Sequence, residues 1–303
     1  MIRTVLVPLD GSELAESVLP YAEQIAGGTG SEVVLLTAVY QSSAWGASPV
    51  REDLGKETVA ARTYLESKRD QLKSRGLNVK TVIAYQPEAD SILNAAADED
   101  ANLIAMSTHG RSRMSRWILG SVADKVLHAT HRPLLLVRAR EAEERAPAPI
   151  DRIVVPLDGS ELSLNVLPYV EEVAEALGAS LVLVHAVQPL DLYPGTQMTP
   201  TRVGAILDGL LAQGHSFQAR VAQEIEARGK VKVRSVVNIG FPVDEIVRVA
   251  QEVNAGLIGM ATHGRSGAGR WIMGSVANAV VRRTNLPCLV IRPEEVQQTQ
   301  QQD

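Results

Sequence analysis

Residues 106–127 read MSTHGRSRMSRWILGSVADKVL, and residues 260–281 read MATHGRSGAGRWIMGSVANAVV. The two segments align without gaps and share 14 of 22 residues. Each passes from an apolar run into a glycine turn, then through nine residues to a Gly-Ser pair that opens a helical pattern. The glycines concerned are Gly110 and Gly120 in the first copy and Gly264 and Gly274 in the second. A strand, a glycine turn and a helix start in this order favour an α/β fold.

The glycine corners of these segments suit the binding of an anion. A glycine just after a strand lets the backbone turn sharply and approach a ligand closely. A Gly-Ser pair at a helix start exposes unpaired N–H groups at the positive end of the helix dipole, where a phosphate finds its donors. The alternative is that the glycines only shape a loop and that Ser121 is an ordinary N-cap. Two copies with the same loop length favour the ligand.

A second repeated pair shows that the chain is an internal duplication. Residues 7–21, VPLDGSELAESVLPY, match residues 155–169, VPLDGSELSLNVLPY, at 12 of 15 positions. Their offset is 148 residues and that of the glycine segments is 154, so a whole domain is repeated in this chain of 303 residues. The sequence predicts a first domain at 1–138, a charged and proline-bearing linker at 139–150, a second domain at 151–293 and a disordered tail at 294–303.

Each half contains five short apolar runs with helical patterns between them. The predicted strands are Val5–Leu9, Val33–Val39, Val79–Ala84, Leu103–Met106 and Leu134–Val137, then Ile153–Leu157, Leu181–Val187, Val231–Val237, Leu257–Met260 and Cys288–Ile291. Continuous apolar runs are typical of parallel strands buried on both faces. The alternation predicts an α/β fold of two tandem, doubly wound, five-stranded parallel sheets. Pro20 and Pro168 fall inside the first predicted helix of each half, where we expect a kink.

Composition and charge bound the class of protein. The chain is 45% hydrophobic and 21% charged, which is ordinary for a soluble globular protein. A net charge of −5 argues against nucleic acid as a partner. The single cysteine, Cys288, lies in an apolar run and is expected to pack in the core. The N-terminal apolar run is too short for a signal peptide and no run is long enough to span a bilayer, so we expect a cytoplasmic protein without a membrane partner.

Two aspartates stand where the first strand of each half ends. Asp10 and Asp158 are each followed by Gly-Ser at the carboxyl end of the strand. In a doubly wound sheet, ligands bind beyond these ends, beside the strand that carries the glycine turn. Each aspartate could therefore contact a nucleoside, cap the following helix, or do both.

These residues resemble the universal stress protein family, specifically its tandem two-domain members. The nucleotide motif of that family is Gly-x-x-Gly, nine residues, then Gly-Ser or Gly-Thr. The motif is present here from Ser107 and again from Ala261, except that these two residues replace its first glycine. The Val-Pro-Leu-Asp opening of each half and the prolines that lead the fifth strands, Pro133 and Pro287, also agree.

The resemblance implies a Rossmann-like sheet in the order 3-2-1-4-5 and a crevice for ATP, with AMP or ADP as alternatives and Mg²⁺ as the accompanying metal. It places the adenine near Asp10 and Ala38 and the phosphates on Gly110, Gly120 and Ser121. The predicted nucleotide-binding residues of the first half are Asp10, Ala38, Ser107, Gly110, Arg111, Gly120 and Ser121. Those of the second half are Asp158, Ala186, Ala261, Gly264, Arg265, Gly274 and Ser275. Arg111 and Arg265 either support the phosphates or belong to a solvated loop face.

The expected function is that of an ATP-binding universal stress protein, a nucleotide-dependent regulatory module in stress response. A weak ATPase is one alternative, and an interaction protein with vestigial pockets is another. The P-loop pattern Gly-x4-Gly-Lys-Ser/Thr is absent, and no catalytic set or set of metal-ligating side chains follows from spacing alone.

The fifth strands predict how the two halves meet. An edge strand has unpaired backbone groups, and in the family that the sequence resembles the fifth strands often pair across a two-fold axis. We therefore expect Leu134–Val137 to pair with Cys288–Ile291 within one chain, forming a pseudo-dimer. A homodimer of whole chains is compatible with the sequence, which does not specify a protein partner.

Overall fold

The computed structural model describes residues 1–40, 51–108, 119–139, 148–188, 200–229, 231–262 and 273–292. Strands and helices alternate along both halves. The first half contains β1 (Thr4–Pro8), a 3-10 helix (Ala15–Val18), α1 (Leu19–Thr29), β2 (Glu32–Ala38), α2 (Arg51–Lys73), β3 (Asn78–Ala84), α3 (Glu88–Asp98), β4 (Leu103–Ser107), α4 (Ser121–Ala129) and β5 (Leu134–Val137). The second contains β6 (Arg152–Pro156), α5 (Glu161–Leu164), α6 (Leu167–Leu177), β7 (Ser180–Val187), α7 (Pro200–Ala227), β8 (Val233–Ile239), α8 (Pro242–Glu252), β9 (Leu257–Ala261), α9 (Ser275–Arg283) and β10 (Cys288–Ile291).

All ten strands join one sheet, in the order β3-β2-β1-β4-β5-β10-β9-β6-β7-β8. Within each half every pairing is parallel and the order is 3-2-1-4-5. The predicted fold class, two tandem doubly wound parallel sheets, is therefore confirmed.

The two halves join through their fifth strands. β5 and β10 pair antiparallel, with Leu289 opposite Leu135 and Cys288 opposite Leu136. Both strands are buried along their whole length. Helices α1 and α6 also cross closely, since a Cβ added at Gly28 would lie 2.6 Å from the Leu177 side chain. The predicted pairing inside one chain is confirmed, and with it the pseudo-dimer.

The strands are apolar throughout because helices cover both faces of the sheet. In β1, Val5 and Val7 face one core and Leu6 faces the other, and all three are fully buried. Each core runs through both halves of the chain. Burial on both faces accounts for the uninterrupted hydrophobic runs in the sequence.

The prolines begin helices instead of kinking them. Pro20 and Pro168 lie in the first turn of α1 and α6, and a separate short helix precedes each. Proline lacks the N–H that a helix interior needs, whereas the first turn of a helix leaves that group unpaired. The predicted change of direction is thus a break between two elements, which corrects the expected kink within one helix.

None of the helices in the described ranges combines the length and the apolar character needed to cross a membrane.

Candidate functional site

The predicted site residues of each half gather at one edge of the sheet. Asp10 follows β1, Ala38 ends β2 and Ser107 ends β4, and these three strands are parallel neighbours. Asp158, Ala186 and Ala261 occupy the same places on β6, β7 and β9. Because the carboxyl ends of parallel strands meet at one edge, each set lies at the point where the strand order reverses, which is where doubly wound sheets bind their ligands.

A backbone hydrogen bond fixes each glycine corner. The Gly120 amide donates to the Thr108 carbonyl at 2.9 Å, and Gly274 donates to Thr262 at 2.8 Å. Both threonine amides donate at 2.8 Å to the fifth strand of their own half. The start of the helix is thereby held against the end of the fourth strand. Gly110, Arg111, Gly264 and Arg265 lie outside the described residues, so their predicted roles stay predictions.

The helices at these corners start without a side-chain cap. α4 begins at Ser121 and α9 at Ser275, and their N-caps are Gly120 and Gly274, which make no side-chain capping bond. The alternative in which Ser121 is an ordinary N-cap is therefore wrong, because Ser121 is the first helical residue. The first-turn N–H groups are not satisfied by a cap side chain, as an anion site requires.

The aspartates stabilise the turns that open the crevices. Asp10 Oδ1 accepts hydrogen bonds from the Ser12 amide at 2.9 Å and the Ser12 hydroxyl at 2.6 Å. Asp158 Oδ1 accepts the same two bonds from Ser160, at 3.0 and 2.6 Å. The intervening Gly159 has φ of 86°, a conformation that favours glycine. The carboxylates therefore hold the turns and do not cap the helices, because the N-cap of α5 is Ser160 and that of the 3-10 helix is Leu14. The expected capping role is wrong, and contact with a ligand stays a prediction.

The crevice of the second half is a cavity of about 710 Å³. The predicted residues among its lining are Asp158, Ala186, Ala261, Gly274 and Ser275. The turn after β6, the ends of β7 and β9 and the start of α9 thus open into one space. Its volume lies within the range of ordinary small-molecule sites, roughly 300–1,000 Å³.

Helix α7 supplies one wall of this cavity, which the sequence reasoning missed. His185, Gly214 and Phe217 line it together. The Nδ1 atom of His185 lies 2.8 Å from the Leu157 carbonyl oxygen, which can only accept, so Nδ1 is the donor. In the neutral imidazole this leaves Nε2 as an acceptor. The Phe217 ring is tilted by 55° to the imidazole, with centroids 6.3 Å apart. The signal in the sequence was one histidine inside the apolar run LVLVHAV.

The corresponding wall of the first half is polar. The Tyr64 hydroxyl donates to Glu16 Oε1 at 2.9 Å, and Lys68 Nζ lies 2.7 Å from Glu16 Oε2. Burial, followed by the Glu16 carboxylate and more weakly Asp10, raises the pKa of Tyr64 above its usual range. The positions that correspond to this cluster in the second half hold Phe217, Leu164 and Val221. Of these three residues, Phe217 lines the second-half cavity, where the first half has Tyr64.

Metal-binding side chains do not cluster in the described part of the chain. No group of three or more His, Cys, Asp or Glu residues is placed there to hold an ion.

Fold and site define an α/β protein with two glycine corners at uncapped helix starts, and similarity to known proteins gives its family. The model of the universal stress protein family matches residues 1–138 and 149–292. The chain therefore belongs to the universal stress protein family, with the domain present twice.

Individual relatives agree with the tandem arrangement. A universal stress protein of Mycobacterium tuberculosis is 26% identical over 252 residues, which cover 82% of this chain and 79% of the relative. One of Mycolicibacterium smegmatis is 23% identical over 301 residues, covering 95% and 97%. The crystal structure of a universal stress protein from Archaeoglobus fulgidus matches with a TM-score of 0.70 at 22% identity, covering 95% of this chain and 98% of the other. That likeness is one of fold.

Proposed function

We propose that this chain binds an adenine nucleotide at the glycine corners, with ATP as the expected ligand. Its occupancy would make the protein a nucleotide-dependent regulatory module in stress response. The observation that carries the proposal is the second-half cavity, which the Asp158 turn and the uncapped start of α9 both border. A nucleotide needs such a pair of features, a polar anchor for the nucleoside and donors for the phosphates.

The start of α9 is the proposed phosphate end. Gly274 carries no side chain that would satisfy or cover the first-turn amides, and Ser275 is exposed. These N–H groups lie at the positive end of the helix dipole, where a phosphate oxygen is stabilised. Arg265 is the proposed cationic support.

The proposed base end lies between β7 and α7. Phe217 gives an apolar ring, and the small side chain of Ala186 leaves room beside it. His185 Nε2 is an acceptor and suits a ligand with an exocyclic amino group, such as adenine. A flat heterocycle with one donor fits this wall better than a sugar or a charged group would.

A divalent metal enters this proposal only with the nucleotide. Mg²⁺ keeps several waters and is usually held by substrate phosphates together with one or two carboxylates. We therefore expect Mg²⁺ to modify the affinity for ATP and to leave the affinity for AMP almost unchanged.

The test is calorimetric titration with ATP and AMP, beside analysis of the nucleotide that stays bound through purification. Gly274→Val places a branched side chain over the start of α9 and should weaken ATP binding at the second site by about 30-fold or more, since charged hydrogen bonds are worth about 1.5–3 kcal/mol each. Gly120→Val should do the same at the first site.

Gly209→Val is the matched control, because position 209 lies in α7 with open space around its added Cβ. It should leave ATP affinity unchanged. Wild-type protein that binds neither nucleotide would reject the proposal and favour the interaction protein with vestigial pockets.

A further inference from the structure

A second cavity lies at the opposite edge of the sheet, where β6, β7 and β8 begin. It measures about 380 Å³, and its polar lining residues are Arg152, Ser180, Lys232, Arg234 and Glu252. The nucleotide crevice opens at the carboxyl ends of the same strands. The two cavities are therefore separated by the length of the strands. The proposed nucleotide site does not include the cavity at the start of β6, β7 and β8.

Strand register places three cations on one face here. Arg152 lies opposite Ser180, and Ser180 precedes Leu181, whose amide donates to the Lys232 carbonyl at 2.9 Å. Arg234 pairs with Val182 and follows Lys232 by two residues, so the two side chains share a face. Arg152, Ser180 and Lys232 form one row across the three strands, and Arg234 lies in the next row.

The internal duplication supplies a comparison for this row. In the first half, the register places Thr4, Glu32 and Asn78 in the row and Lys80 in the next. Lys80 Nζ lies 3.2 Å from Glu32 Oε2 and also forms an ion pair with Glu99, which follows α3. One cation is therefore held there between two carboxylates.

The second half has lost both carboxylates and gained two cations. Ser180 stands where the first half has Glu32, and Val253 stands where it has Glu99. The other two changes are Arg152 for Thr4 and Lys232 for Asn78. A neutralised lysine in one half corresponds to a cluster of cations in the other.

The acidic residues nearby are already paired. Asp151 Oδ2 lies 3.2 Å from Arg152 Nη2, and the Glu252 carboxylate forms an ion pair with Arg248. Arg152 also donates to the Val253 carbonyl, which anchors its guanidinium beside the cavity. Lys232 and Arg234 are exposed, and no ion pair to either is found within the described residues.

We propose that this cavity, with its cations Arg152, Lys232 and Arg234 and the Ser180 hydroxyl, is a binding site for a small phosphate-bearing dianion. The guanidinium and ammonium groups supply charge-assisted donors for phosphate oxygens, and the serine hydroxyl supplies a neutral one. Because Asp151 offsets the charge of Arg152, the positive charges left for a ligand are those of Lys232 and Arg234. A dianion balances both of these charges, and a single carboxylate balances one.

Amide NMR spectra recorded during titration with inorganic phosphate, at constant ionic strength set by chloride, test this site. The Val233 and Arg234 amides should shift with saturation. Lys232→Gln combined with Arg234→Gln should weaken phosphate binding there at least about tenfold. Lys80→Gln is the matched control in the first half and should leave those shifts unchanged.

A second variant removes no cation. Ser180→Glu combined with Val253→Glu rebuilds the two carboxylates of the first half, which should hold Arg234 as Lys80 is held and abolish phosphate binding. Saturating shifts that persist in this variant would overturn the proposal, as would shifts that chloride alone reproduces. Phosphate effects at the Ser275 amide report the nucleotide corner separately, so failure of one site is distinguishable from failure of the other.

Discussion

Position 214 in α7 requires glycine, because the His185 ring fills the space that a side chain there would occupy. A Cβ added at Gly214 would lie 2.9 Å from His185 Cδ2 and 3.0 Å from Val237 Cγ1. The ring cannot move away freely, because it is 6% exposed and its Nδ1 is bonded to the Leu157 carbonyl. Gly214→Ala should therefore lower the stability of the protein.

Two opposing terms set the size of this effect. Replacing glycine by alanine inside a helix ordinarily stabilises it by about 1 kcal/mol. Overpacking a filled site costs about 1–3 kcal/mol. With two contacts at or below 3.0 Å, and a ring held by a hydrogen bond worth about 1 kcal/mol, the overpacking term should win by roughly 1 kcal/mol.

The first half of the chain shows how the clash can be removed. Helices α2 and α7 are followed by the pairs Arg75-Gly76 and Arg228-Gly229, an alignment that matches Ala61 with Gly214. The offset of 148 residues found for segments 7–21 and 155–169 matches Thr37 with His185. The Thr37 hydroxyl donates to the Leu9 carbonyl at 2.9 Å, as the His185 ring does to Leu157. His185→Thr with Gly214→Ala thus introduces the two residues that the first half has at these positions.

Urea unfolding of the two single variants and the double variant measures the coupling. We expect the double variant to lose about 1–2 kcal/mol less than the sum of the single losses, as residues in contact do. A stabilised Gly214→Ala variant, or losses that add within about 0.3 kcal/mol, would refute the argument that the ring is pinned.

Three further outcomes follow from two buried side chains and one hydrogen-bonded carboxylate. Leu135→Ala should cost about 2–5 kcal/mol in urea unfolding, because this fully buried side chain lies at the junction of the halves; a loss below about 1 kcal/mol would count against that junction. Burial raises the pKa of the Cys288 thiol to about 12, so native protein should be inert to a thiol reagent at neutral pH and react once unfolded; rapid native reaction would contradict this. Hydrogen bonds from Arg248, then from Asn238, lower the pKa of the Glu245 carboxyl from 4.5. The ionised Glu245 carboxylate therefore stabilises the folded protein above pH 4.5, and this contribution is lost as the pH falls through the pKa of Glu245 in the folded state. Glu245→Gln should flatten the acid limb of the curve of stability against pH. An unchanged acid limb would argue against this role.

The architecture was predictable because one physical signal, burial on both faces of a sheet, leaves uninterrupted apolar runs. All ten predicted strands are present, and their ends differ from the prediction by a few residues, as at Val231, which lies before β8. The helix breaks at Pro20 and Pro168 were harder to place. A proline is compatible with both a kink and a first turn, and only the preceding packing decides between them.

The backbone part of the candidate site was predictable, and its side-chain walls were not. Glycine corners and strand-end aspartates have a fixed spacing that the duplication repeats. His185, Gly214 and Phe217 meet only when α7 packs on β7, and nothing in the spacing of these three residues indicates that contact. The cations near β8 were missed for a related reason, since Arg152 and Lys232 are far apart in sequence and meet through strand register.

The most direct test of the nucleotide proposal is an ATP titration followed through the amide signals of Ser275 and Val276 in the first turn of α9. These signals should shift with saturation in the wild type. Gly274→Val should raise the ATP concentration needed for the shifts by about 30-fold or more, and Gly209→Val should leave it unchanged. Saturable ATP binding that leaves both amides unmoved, or no binding at all, would contradict the proposal.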